Sequence, residues 1–208
     1  MKVLGINGSP HIHGNSDKAL RIFAEILRSE SINMEFVQIG NKVVRGCMAC
    51  NMCFENKDRR CIFEDAVNEN IDKLAKADAI VLATPVHYSG INGTMKSFLD
   101  KVAYISAANG GLLNGKFGAA IAICRRTGGS ATLAGLQSYF QISGMHAVGS
   151  TYWTVAHGHG DMGIEGDEEG QITIKNQALN MAYLLKCKEK ANLPEPKYFE
   201  VKATNFVR

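Results

Sequence analysis

Four cysteines, Cys47, Cys50, Cys53 and Cys61, are spaced as Cys-x2-Cys-x2-Cys-x7-Cys. Three thiolates at that spacing can wrap one face of a cube, and the fourth can close it from across a short loop, as a 4Fe-4S cluster requires. Two other readings fit the same residues. Tetrahedral zinc also takes four cysteines, though usually as two separated pairs, and free or redox-active thiols need no metal at all. Lys42, Arg45, Lys57, Arg59 and Arg60 lie close in sequence, and they either offset the negative charge of thiolates and cluster or form a solvated face. Cys124 and Cys187 read as small buried apolar residues.

A second constellation is Gly8-Ser9-Pro10-His11-Ile12-His13-Gly14-Asn15-Ser16. It follows an apolar strand, Val3-Leu4-Gly5-Ile6, and precedes an amphipathic helix, so unsatisfied backbone N–H groups and the positive end of the helix dipole converge where an anionic phosphate would sit. There is no Gly-Lys-Ser/Thr ending and no G-x-G-x-x-G, which makes ATP and tightly held NAD poor fits. A phosphate monoester held by amides, by the Ser9 and Ser16 hydroxyls and by His11 points instead to FMN. The bland alternative is a plain βα turn whose helix is capped by Asn15 or Ser16.

A third segment, Thr84-Pro85-Val86-His87-Tyr88-Ser89-Gly90, offers what a flavin ring needs: a rigid Pro turn, an aromatic side chain and exposed amides near Gly90. His157-Gly158-His159-Gly160-Asp161, with Asp167-Glu168-Glu169-Gly170 after it, has metal-ligand residue types, but its glycines leave the donors poorly preorganised and it reads as a mobile surface loop.

The elements that position these residues alternate between strand-like and helix-like patterns, as parallel βαβ units do. Helices are expected at about 16–30, 64–76, 93–107, 130–143 and 172–190 from their apolar periodicity. Strand patterns cover 3–6, 32–39, 79–83, 117–123 and 146–156, and the continuous apolar runs at 79–83 and 117–123 mark strands covered on both faces. The resulting expectation is an α/β doubly wound sheet of five parallel strands, order 2-1-3-4-5, whose loops after strands 1, 3 and 4 meet beyond the carboxyl edge.

Composition agrees with one ordinary globular unit: 208 residues, 46% hydrophobic and 21% charged, with 21 Gly and 4 Pro. We expect a single domain over 1–190 with a Cys-rich loop at 41–63, and an extended tail over 191–208. A net charge of +3 without a dense Lys/Arg stripe does not call for nucleic acid or an anionic membrane. No signal-peptide h-region or long apolar run is present, so a cytoplasmic protein is expected, a compartment in which cysteines serve as metal, cluster or redox ligands.

Taken together, the G-S-P-x-x-x-G-N-S loop, T-P-V-x-Y-S-G, the Lys96-Ser97-Phe98-Leu99-Asp100-Lys101 helix and Arg125-Arg126-Thr127-Gly128-Gly129 resemble the NADPH-dependent FMN reductase branch of the flavodoxin-like superfamily. The resemblance implies a flavodoxin-like three-layer sandwich that binds FMN, with Ser9, His11, Asn15 and Ser16 on the phosphate. It places the ring against Pro85, Val86, Tyr88, Ser89 and Gly90, with His87 in the same loop, and Arg125, Thr127, Gly128 and Gly129 on its other side. His11 stands where an arginine is frequent in the family; an unperturbed imidazole titrates near ~6.5, so FMN affinity is expected to fall between about pH 6 and 8. Within the superfamily the compact cysteine motif resembles the iron-sulfur flavoproteins. Trp153 and His157 are secondary candidates for a substrate pocket.

The implied activity is electron transfer from NAD(P)H or a reduced ferredoxin through flavin N5 to a small acceptor such as a quinone, O2 or peroxide, with ping-pong kinetics where nicotinamide is the donor. The family resemblance also implies a homodimer or homotetramer. The competing class is a zinc- or thiol-based redox sensor in which flavin is structural and nothing turns over.

Overall fold

A computed structural model describes residues 1–160, 162–194 and 196–199. Asp161 and most of the expected tail lie outside the described residues. In chain order the elements are β1 Val3–Asn7, α1 Asn15–Ser29, β2 Met34–Gln38, α2 Met52–Asn56, α3 Ala66–Lys76, β3 Ala79–His87, β4 Gly90–Ile91, α4 Gly93–Ala108, β5 Phe117–Cys124, α5 Gly129–Ile142, β6 His146–Ala147, β7 Val155–His157 and α6 Glu168–Ala191.

Side chains alternate across each central strand, and that alternation builds the three layers. Leu4, Ile6, Ile80, Leu82, Ala120 and Ala122 face a core shared with α3, α4 and α5. Val3, Val81, Ala119 and Ile121 face the opposite core, shared with α1 and α6. Phe98 on α4 and Phe23 on α1 are fully buried anchors of the two cores. Truncating either to Ala should cost about 3–5 kcal/mol.

Among the described residues the sheet has seven strands, in the order β2-β1-β3-β5-β6, with β4 paired to β3 and β7 paired to β5. The expected count of five is therefore corrected at two places. A two-residue strand, β4, folds back antiparallel on β3, pairing Val86 with Ile91 and His87 with Gly90. The segment read as one last strand is split: β6 and β7 both run parallel to β5, but residues 149–153 leave its edge. The departure is held by α6, where Ser150 Oγ donates to Thr173 O, Asn176 to Thr151 Oγ1 and Asn180 to Gly149 O. Thr154 Oγ1 reaches back to Ala120 O at 2.6 Å, which satisfies a buried ladder carbonyl.

Candidate functional site

β1, β3 and β5 all end at one edge of the sheet, and their loops meet there. Gly8 N donates to Ala83 O at 2.8 Å, tying the first loop to β3. The loop then turns on itself: Ser9 N donates to Asn7 Oδ1 at 3.0 Å and His11 N to Ser9 Oγ at 3.1 Å. Ser9 and Ser16 are buried, His11 is exposed, and Asn15 is half-buried with its Oδ1 accepting from Ile164 N. The cap of α1 is Gly14, with no side-chain hydrogen bond, so neither Asn15 nor Ser16 has the capping role open to them in the sequence.

The absence of a cap on α1 is informative because other helices have one. Asp65 accepts from Val67 N at the start of α3, Asn92 from Thr94 N and Met95 N at α4, and Asp167 from Gly170 N at α6. The helices α1 and α5, which begin at the shared edge, start on Gly14 and Gly128 without any side-chain cap. Apart from Gly129 N, which hydrogen-bonds the Cys124 thiol, their N–H groups are available to an anion or a ring carbonyl. Beside them Asn7 Nδ2 is buried with no partner among the described residues, as expected of a donor awaiting a ligand.

Three residues that support this loop were not anticipated. Gln38 Nε2 donates to Ser9 O at 2.6 Å, and Ile39 N and Gly40 N both donate to Asn7 O. A Cβ on Gly40 would lie 2.2 Å from Gly8 O and Ser9 O, so only glycine lets the β2 exit pass under the loop. A glycine directly after an apolar strand was the available signal.

The Pro turn expected in the second loop is corrected. Pro85 lies inside β3, paired with Ile123, and the turn is made by Tyr88 and Ser89, both with positive φ (49° and 59°). Two non-glycine residues in left-handed conformation between paired strands form a tight hairpin of the I′ kind, strained for these side chains. The hairpin leaves Tyr88 fully exposed, Val86 and Gly90 half-buried, and His87 exposed with Nδ1 3.1 Å from Asn92 Nδ2. Gly128 (φ +88°) approaches it so closely that a Cβ would meet Ser89 Cα at 2.8 Å. Loops two and three are thus in contact. Arg125 and Thr127 are exposed and Gly129 is buried against Val155.

Behind the third loop lies a cavity of about 280 Å³ lined by Gly128, Tyr152, Trp153, His157, Asp167 and Glu169, among others. His157 ends β7 and is tied to the start of α6: its backbone N donates to Asp167 Oδ2 at 2.6 Å with Nδ1 3.3 Å from the same oxygen. The acidic stretch expected to precede the last helix instead starts it, with Asp167 as the cap. Burial raises the Asp167 pKa, but hydrogen bonds from the Gly170 and His157 amides and the His157 ring outweigh it and hold the carboxyl below its usual range.

The cysteines gather elsewhere. Cys47, Cys50, Cys53 and Cys61 line a single small hollow together with Phe63, Lys101, Tyr104 and Ile105. The chain reaches this arrangement by repeated left-handed turns at Ala49, Asn51, Lys57 and Arg59, and by the unanticipated short helix α2. Asn68 clasps Cys61 from both sides, accepting from its N and donating to its O at 2.8 Å each. Tyr104 on α4 donates to Asn51 Oδ1 and packs edge-on against Phe54 at 5.1 Å. Cys53 is buried, and that burial together with the neighbouring Cys47 and Cys50 pushes its thiol up.

Among the described residues no three His, Cys, Asp or Glu side chains converge as one metal ion would require. A 4Fe-4S cubane takes one thiolate on each of four irons around a central body, and the four cysteines that line this one hollow are a donor set of that kind. Lys42, Arg45, Lys57, Arg59 and Arg60 are all exposed, with Arg45 over the Phe63 ring at 4.6 Å. Cys124 is buried as expected, whereas Cys187 is exposed on α6, a correction to its reading as a core residue. None of the described helices is long and apolar enough to cross a membrane.

A parallel sheet with two uncapped helix starts and an aromatic hairpin at its carboxyl edge defines a flavodoxin-like α/β protein. The chain belongs to the NADPH-dependent FMN reductase family, whose model matches residues 1–160. It is accordingly a flavin-dependent oxidoreductase. It is similar to two iron-sulfur flavoproteins of Methanocaldococcus jannaschii: one is 31% identical over 193 residues, covering 89% of this chain and 98% of the relative, and the other is 30% identical over 204 residues, covering 93% and 100%. Among solved structures it superposes on RosB with bound 8-demethyl-8-formylriboflavin-5'-phosphate at a TM-score of 0.71 and 16% identity, covering 100% of this chain and 94% of that one.

Proposed function

We propose that this oxidoreductase holds FMN at the edge formed by residues 8–16, 85–90 and 125–129, and a 4Fe-4S cluster at Cys47, Cys50, Cys53 and Cys61. It takes electrons from NAD(P)H or a reduced ferredoxin and delivers them to a small acceptor such as a quinone, O2 or peroxide. When bound, FMN supplies hydride acceptance at N5 and exchange between two-electron and one-electron chemistry, and the cluster supplies one-electron transfer.

The observation that carries the flavin assignment is the pair of uncapped helix starts, α1 and α5, at the shared edge, whereas α3, α4 and α6 bring their own side-chain caps. The N–H groups of α1, with Ser9, Asn15, Ser16 and the exposed His11, bind the phosphate. Pro85, Val86, His87, Tyr88, Ser89 and Gly90 present a hairpin surface for the ring. Arg125, Thr127, Gly128 and Gly129 supply donors to its other side. The cluster assignment is supported by the hollow common to all four cysteines and by the likeness to the two Methanocaldococcus jannaschii iron-sulfur flavoproteins.

The cavity behind Gly128, with its Trp153 and Tyr152 wall and its His157–Asp167 pair, suits a planar acceptor. Residues 1–190 act as one domain. The assembly is a homodimer or homotetramer, a reading supported by exposed Tyr152, Trp153, Ile172 and Tyr183 on a segment and helix joined by the Asn176–Thr151 bond.

Stopped-flow mixing of anaerobically reconstituted protein with NADPH, NADH and reduced ferredoxin tests the reading. Flavin bleaching with at least one donor, and parallel initial-rate lines with a quinone acceptor if that donor is NAD(P)H, are expected. Protein that stays colourless in excess FMN, or takes up no iron and sulfide, overturns the corresponding half.

A further inference from the structure

The cysteine hollow has one charged group in its wall that the assignments above do not use. Lys101, midway along α4, lines the hollow and is 2% exposed. Its ammonium donates to Asp65 Oδ2, whose side chain is itself buried, and Asp65 Oδ1 accepts from Val67 N as the cap of α3. Burying such a pair gives little stability over an apolar pair of the same shape, because both ions lose their water. Its position calls for another explanation. The exposed cations Lys42, Arg45, Lys57, Arg59 and Arg60 are screened by solvent and counter-ions, whereas Lys101 acts through protein interior, where a charge is felt most strongly.

We propose that Lys101 is a positioning residue that sets the reduction potential of the cluster, with Asp65 as its counterweight. This rests on the 4Fe-4S reading of the four cysteines. When the cluster takes up one electron, from a flavin or ferredoxin-class donor in turnover or from dithionite in a titration, no bond is made or broken and the hollow gains one negative charge. The Lys101 ammonium favours that reduced state and raises the potential; the Asp65 carboxylate opposes it and limits the rise.

The opposed signs make the test. Wild type, Lys101→Met, Lys101→Arg, Asp65→Asn and the double variant are reconstituted anaerobically, assayed for iron and sulfide, and titrated with dithionite under EPR detection. Asparagine can still accept from Val67 N and keep the α3 cap, but it leaves the buried Lys101 ammonium without its carboxylate, so a lowered unfolding midpoint is expected for Asp65→Asn and is recorded beside its potential. Lys101→Met should shift the one-electron equilibrium against reduction by about tenfold, a lowering of about 59 mV. Asp65→Asn should shift it the other way by a similar factor. Lys101→Arg should keep the wild-type value, and the double variant should fall between the two single variants. If Lys101→Met does not fold, Asp65→Asn and the charge-free double variant still give the sign. Potentials that are unchanged, or that move in the same direction in both single variants, overturn the proposal while leaving the cluster intact. A wild-type chain that takes up no iron overturns the cluster reading and this inference together.

Discussion

Residues 8–16 and residues 47–61 both converge polar groups on one place, but they do so from different materials. The first loop uses main-chain nitrogens, and these are placed by the sheet: Gly8 is tied to β3, Ser9 to Gln38 of β2, and Asn15 to Ile164 beyond β7. The second uses side chains on a loop that makes its own bends at Ala49, Asn51, Lys57 and Arg59 and is fastened to α3 through Asn68 and to α4 and its C-cap through Tyr104 and Asn109. Tyr104 lies about 16 Å along α4 from Gly93 at the hairpin, at ~1.5 Å per residue. The two places are therefore separate in construction. A site made from strand ends inherits the rigidity of the sheet, while a site made within a loop depends on local bends and on what the loop holds.

The largest effect that could break this separation is in the cysteine loop. Cys53→Ser should abolish iron and sulfide uptake while leaving FMN binding at full occupancy, because no side chain of the loop contributes to the strand-edge site. The buried hydroxyl should also cost about 1–3 kcal/mol in thermal or urea unfolding. Loss of flavin together with iron would show that the two sites are mechanically one.

Gly40→Ala is the converse and should be smaller. The new Cβ would collide with Gly8 O and Ser9 O at 2.2 Å, and neither is the end of a flexible side chain, so the phosphate loop itself must move. A displacement costing about 1–3 kcal/mol corresponds to FMN binding weakened on the order of tenfold to a hundredfold. Iron uptake should be unaffected. Fluorescence titration of apoprotein with FMN, beside iron analysis, reads both outcomes.

How far the sequence reveals each region follows the same division. Alternation and continuous apolar runs locate β1, β3, β5 and the helices that cover them because those patterns are set by burial alone. The helix α2 has no periodicity to find: it spans only Met52–Asn56, and its existence depends on packing of Phe54 against Tyr104. The hairpin turn at Tyr88-Ser89 is hidden because neither residue is a usual occupant of left-handed backbone, and Pro85 nearby gives a stronger but misplaced turn signal. The break between β6 and β7 is foreshadowed by Gly149-Ser150-Thr151, yet the bonds that hold it come from α6, far along the chain. Spacing exposes the cysteine quartet, whereas Lys101 gives no sign in one dimension that it faces the same hollow.

The finest test concerns how firmly the strand-edge region is held by its third wall. Asp167 caps α6 through Gly170 N and anchors His157, fixing the segment that carries Ile164 to Asn15. Its depressed pKa means that this stabilisation is fully present above the unfolded-state value of about 3.9 and is lost as pH falls through the lower folded-state value. Asp167→Asn retains a capping oxygen but not the charge, so it should be destabilised by about 1 kcal/mol near pH 7, with the gap to wild type closing as the wild-type carboxyl protonates below about pH 4. Urea unfolding at several pH values measures the gap. A gap that persists unchanged to about pH 3 would assign the effect to lost hydrogen-bond geometry instead of charge. It would also place the support of the phosphate loop in the packing of Ile164 against α1, making this edge as dependent on local contacts as the cysteine loop is.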